Sequence, residues 1–162
     1  MKTLIVYYTM SGNTGYVAGK VAEKTGAELL ALEPEKAYPD KGAKKFLWGG
    51  KSAVMKDKPA LKPYGFRADD CDLIVFGTPV WASTFTPPLR TFIEENRAAL
   101  AGKRFAVFTC CAGGGAAKAI EKLRKLLEAD RFEAELILVD PKDNQTEENG
   151  ERIAAFCKAL NA

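Results

Sequence analysis

A doubly wound α/β fold with a five-stranded parallel sheet is what this sequence predicts, on three observations. Five short runs are continuously apolar, longer stretches with apolar residues at helical spacing separate them, and the alternation spans most of the 162 residues. A strand without alternating polar positions is buried on both faces, and a right-handed helical crossover is what brings it parallel to the next. Helices therefore cover both faces of the sheet in three layers. No linker, repeat or low-complexity segment divides the chain, so 1–162 reads as one domain.

The elements follow in order. Lys2 to Tyr8 (KTLIVYY) is the first strand, ending at a cluster of small polar residues. Val17, Ala18, Val21 and Ala22 recur at helical spacing, which predicts a helix from Asn13 to about Lys24 with Gly26 as its stop. Ala27 to Leu32 reads as the second strand. From Glu35 to Asp70 the residues Pro39, Gly42, Gly49, Gly50, Pro59, Pro63 and Gly65 interrupt any period, and one helix is expected between Gly42 and Met55. Leu73 to Gly77 (LIVFG) is the third strand, and Pro87-Pro88 opens a helix with the stripe Leu89, Phe92 and Ile93. Arg104 to Thr109 (RFAVFT) is the fourth strand, followed by the stripe Ala119, Ile120, Leu123, Leu126 and Leu127. Leu136 to Val139 is the fifth, and Ile153, Phe156, Cys157 and Leu160 mark the last helix.

Composition excludes several function classes. The chain contains no histidine, which removes Ser/His and Cys/His catalysis and any imidazole acid or base, so chemistry here is expected to rest on a cofactor. Cys71, Cys110, Cys111 and Cys157 lack CxxC spacing, so neither a metal site nor a disulfide framework is expected and a reducing compartment fits. The net charge of +3 is dispersed apart from a lysine-rich stretch between Lys41 and Lys62, an argument against a nucleic-acid partner. No apolar run approaches the roughly 20 residues of a membrane span, and the start carries no cleavage-site pattern; a cytoplasmic protein with no membrane association is expected.

In open parallel sheets ligands bind beyond the carboxyl ends of the strands, where strand order reverses. The loop after the first strand is Thr9-Met10-Ser11-Gly12-Asn13-Thr14, hydroxyl and amide side chains around one glycine at a helix N-terminus. Free N–H groups and the positive end of the helix dipole make an anion site there. It lacks GK[ST], so it is no nucleotide-triphosphate loop, and Gly12, Gly15 and Gly19 do not form GxGxxG. The same residue types also serve as helix caps. After the third strand come Thr78, Pro79, Val80, Trp81, Ala82, Ser83 and Thr84, with an indole among small residues that suits a flat conjugated ring. After the fourth come Cys110, Cys111, Ala112, Gly113, Gly114 and Gly115, nearly free of side chains and open to close backbone approach.

These loops resemble the flavodoxin-like family of flavin mononucleotide (FMN) proteins. The stretch Thr9 to Thr14 is similar to the family's phosphate-binding pattern, and the aromatic and glycine-rich loops stand where the family flanks the isoalloxazine. The resemblance implies the strand order 2-1-3-4-5, FMN as cofactor, and electron transfer as a flavodoxin-type carrier. It implies phosphate contacts from Thr9, Met10, Ser11, Gly12, Asn13 and Thr14, with flavin contacts from Thr78 to Thr84 and from Cys111 to Gly115. It assigns no catalytic side chain and no metal. The alternative is an FMN-dependent oxidoreductase using NAD(P)H and a quinone-like acceptor, with a flavin-free binding module as a third reading; the chain is expected as monomer or homodimer. Three departures stand out: the charge is mildly basic where carriers are acidic, Ala82 replaces a glycine, and no acidic residue lies between Gly77 and Thr86.

Overall fold

The computed structural model describes residues 1–39 and 43–161. Chain order is β1 (Thr3–Tyr7), α1 (Asn13–Thr25), β2 (Glu28–Ala31), α2 (Ala43–Val54), β3 (Leu73–Pro79), α3 (Pro87–Glu95), α4 (Arg97–Leu100), β4 (Arg104–Cys111), α5 (Ala116–Leu127), β5 (Glu135–Val139) and α6 (Glu147–Leu160). All strand pairings are parallel and the order is β2-β1-β3-β4-β5, the doubly wound order expected.

Strand pleating divides the core in two, because successive side chains leave opposite faces. Leu4, Val6, Ile74, Phe76, Phe105 and Val107 face one side, where they meet Leu89, Phe92 and Ile93 of α3 and Ile120 and Leu123 of α5. Ile5, Leu73, Val75, Ala106, Phe108 and Leu138 face the other, against Val17, Ala18 and Val21 of α1 and Ile153, Phe156 and Leu160 of α6. Each fully buried side chain of this size stabilises the fold by about 1.5–3 kcal/mol. Where β3 meets β4, Gly77 pairs with Phe108, and a β-carbon on Gly77 would collide with the Phe108 ring. A glycine is required there by close approach alone.

Several details differ from the sequence expectation. β2 is shorter than Ala27 to Leu32 and mostly exposed, because it is an edge strand paired only with β1. β3 continues through Thr78 and Pro79, and β4 through Cys110 and Cys111, so those residues end strands and do not begin loops. Burial on both faces simply runs on to the ends of these strands. α4 and a 3₁₀ turn at Ala68–Asp70 have too few residues to show a period. α2 falls inside the expected interval of Gly42 to Met55.

Candidate functional site

The carboxyl ends of β1, β3, β4 and β5 open onto one cleft of about 160 Å3. Its first wall is the β1–α1 loop. Gly12 turns the chain with φ +96°, and the first helical bond of α1 runs from the Tyr16 N–H to the Gly12 carbonyl. That leaves the N–H groups of Asn13, Thr14 and Gly15 without an acceptor among the described residues, and no side chain caps them. Thr14 is 1% exposed and its Oγ1 has no oxygen or nitrogen partner, only the Cys110 thiol nearby; Thr9 Oγ1 is likewise buried and unpartnered. Buried polar groups are nearly always bonded, so orphans gathered at a helix N-terminus fit an anion better than a cap.

A tight hairpin forms the second wall. The Trp81 N–H donates to the Thr84 carbonyl at 2.9 Å and the Thr84 N–H returns to Trp81 at 3.0 Å. The two central residues, Ala82 (φ +49°) and Ser83 (φ +56°), adopt the left-handed geometry such two-residue turns demand. Neither is glycine, so the turn holds strain of about 1 kcal/mol per residue. The Trp81 indole meets the edges of Tyr8 and Tyr38 at centroid distances of 5.7 and 5.1 Å. Gly49 of α2 makes room behind it, since a β-carbon there would come within 3.2 Å of the indole. Burial raises the Tyr8 phenol well above its ordinary range and raises that of Tyr38 as well, so both rings stay neutral beside the cleft.

Hydrogen bonds behind the hairpin hold it in place. Buried Thr78 accepts the Thr86 N–H on its Oγ1 at 3.1 Å, and Lys122 Nζ donates to Thr84 Oγ1 at 2.7 Å. Ser83 packs on Gly115, where any β-carbon would strike the serine hydroxyl, so the glycine-rich loop and the hairpin lock together. Cys110 and Cys111 lie buried at the end of β4, and burial pushes the Cys110 thiol up to about 12. A thiol so resistant to ionisation is a packing group and no nucleophile.

Of the residues expected to bind, Thr9, Met10, Ser11, Asn13 and Thr14, then Pro79, Val80, Trp81 and Ala82, then Cys111 and Ala112 line the cleft. Gly12, Thr78, Ser83, Thr84, Gly113, Gly114 and Gly115 do not line it. Gly50, Cys110 and Asp140 also line it. Asp140 follows β5, an outer strand whose connection to α6 carries no glycine and no aromatic residue. Lys142, from the same connection, donates its N–H to Asn13 Oδ1 at 2.9 Å.

The family model for flavodoxin matches residues 2–147. The chain belongs to the flavodoxin family. A flavodoxin-family architecture accounts for the placement of the cleft at the point where strand order reverses, between β1 and β3. The fold is shared with a flavoprotein from Lactobacillus acidophilus solved in complex with FMN, 22% identical over 89% of this chain and 96% of that one, with a TM-score of 0.70. A chain from Bacteroides eggerthii is 21% identical over 99% and 98% with a TM-score of 0.75. The Megasphaera elsdenii flavodoxin, solved in its two-electron reduced form, is 16% identical over 97% and 96% with a TM-score of 0.59. Among the described residues no helix is long and apolar enough to cross a membrane, and no cluster of three metal-binding side chains occurs.

Proposed function

We propose that this flavodoxin-family chain binds FMN at the cleft and serves as an electron carrier. The observation that carries the reading is the set of unpartnered donors at the start of α1, with the buried Thr14 hydroxyl among them, opening on the same cleft as the aromatic hairpin. The phosphate ester fits those donors, and the cleft between Trp81 and the β4 end offers a wall for a flat ring. When bound, the flavin supplies the redox chemistry. The chain's own contribution is position and environment. Ser11, Asn13 and Thr14 hold the phosphate end; Pro79 to Ala82 border the ring; the strained hairpin keeps one backbone conformation against it. Buried Tyr8 and half-buried Tyr38 back the indole and shield that side from water. The cysteines move no proton, since burial keeps their thiols protonated.

Titration with FMN should quench flavin fluorescence and yield a bound flavin spectrum, with riboflavin binding at least about tenfold more weakly for want of phosphate contacts. A folded Ser11→Ala/Thr14→Ala double variant that kept full FMN affinity would reduce the first loop to a helix cap. The net charge of +3, unusual for a carrier that steers by a single-sign field, favours a second reading as an NAD(P)H-dependent reductase. Anaerobic mixing of the loaded protein with NADPH separates them: the carrier keeps its yellow colour, the reductase bleaches within seconds.

A further inference from the structure

The connection between β5 and α6 reaches back to the beginning of the chain. Its Lys142 is anchored to the first loop by its backbone, the N–H donating to Asn13 Oδ1 at 2.9 Å. From that anchor the side chain lies over Gly12, with Nζ 3.2 Å from where a β-carbon on Gly12 would stand. The connection itself is tied down. Asn144 donates its N–H to the Asp140 carbonyl at 2.9 Å and its side-chain amide to Val139 at 3.3 Å, while Gln145 donates to the Lys142 carbonyl at 2.9 Å. Among the described residues the Lys142 ammonium forms no ion pair.

An ammonium without a counter-charge therefore rests on a loop that already presents three unpartnered N–H groups and a buried unpartnered hydroxyl. The cation lies against Gly12, the residue that opens α1, and the orphan donors follow it in the next turn; Asp140 is the carboxylate that also lines the cleft, and an anion at the loop would be met by both the cation and the donors. We infer that Lys142 is a ligand of the phosphate group bound by the first loop, with Asn13 as its positioning residue. The inference rests on the FMN reading for the identity of the phosphate ester, while the anion site stands on the chain's own geometry. Phosphate recognition is then charge-based as well as hydrogen-bonded. Selectivity for FMN over riboflavin, and sensitivity of loading to salt, both follow.

Wild type, Lys142→Gln and Lys142→Arg are titrated with FMN and riboflavin by flavin fluorescence. The glutamine variant should lose about tenfold in FMN affinity, the worth of one charge-assisted contact, and nothing in riboflavin affinity, while arginine restores most of the loss. Raising salt from about 0.05 to 0.5 M should weaken FMN binding to wild type more than to the glutamine variant. Equal FMN affinity in wild type and Lys142→Gln overturns the inference, as does a matching loss for riboflavin, which would mark a structural effect. A second arm uses the flavin-free protein and inorganic phosphate, followed by backbone amide shifts at Gly12, Asn13 and Thr14, where Lys142→Gln should require about tenfold more phosphate. Phosphate binding that depends on Lys142, without FMN binding, would sink the flavin reading and leave the inference standing; phosphate binding indifferent to Lys142 overturns it.

Discussion

At the scale of single residues, Thr14 and Ala82 each keep an unfavourable state. Thr14 buries a hydroxyl with no oxygen or nitrogen partner, at a cost of about 1–3 kcal/mol that a ligand oxygen would relieve. Thr14→Val removes the orphan, so the flavin-free protein should be unchanged or more stable by about 1 kcal/mol in urea unfolding, while FMN affinity falls. Both effects must appear together for the hydroxyl to be a ligand group. Ala82 takes φ +49° without glycine's freedom. Ala82→Gly exchanges about 1–2 kcal/mol of backbone strain for a smaller entropy loss, so a net gain of about 0.5–1 kcal/mol is expected, read as a higher urea midpoint. A loss of stability would show that the Ala82 methyl, one wall of the cleft, contributes more by packing than its backbone loses.

Among the elements, the β3–β4 pair is the least tolerant seam. Gly77 lies opposite Phe108 in register, between a strand that ends at the aromatic hairpin and one that ends at Cys111. Gly77→Ala must push the Phe108 ring toward Phe156, whose ring centroid lies 6.4 Å away, so overpacking should cost about 1–3 kcal/mol and shift both cleft-forming strand ends. Reduced stability with weakened FMN binding is expected, the second measured after correction for the unfolded fraction. Phe108→Leu combined with Gly77→Ala should recover part of the loss, because it removes the colliding ring. By contrast β2, exposed and paired on one side only, should tolerate substitution at Glu28 and Leu29 with changes within about 0.5 kcal/mol.

For the molecule as a whole, the cleft couples ligand binding to global stability because it joins four strand ends and two helices. Ligand at a hundred times its dissociation constant stabilises a two-state protein by about 2.7 kcal/mol, which for a chain of this length corresponds to roughly 5–10 °C in melting temperature. FMN should produce that shift in a thermal melt, and riboflavin a smaller one at equal concentration. An identical shift from both would show that phosphate contributes nothing.

What the sequence determined by itself is what depends on local pattern. Continuous apolar runs in β1, β3, β4 and β5 and stripes at helical spacing in α1, α3, α5 and α6 state which faces are buried, and burial on both faces admits only a parallel, doubly wound sheet. The first loop was legible for the same reason, because its hydroxyls, glycine and helix start are contiguous. Tertiary structure decided what depends on distant residues meeting. Thr78 and Thr84 read as cleft residues, yet partners at Thr86 and Lys122 draw them behind the hairpin. Trp81 reads as an indole suited to a flat ring, and what holds it, Tyr8, Tyr38 and Gly49, comes from three separate segments. Asp140 and Lys142 carry no motif, and they reach the first loop only because β5 ends at the same sheet edge as β1. Periodicity records whether a side chain is buried; which groups it is buried against is set by strand order and register, which no local window contains.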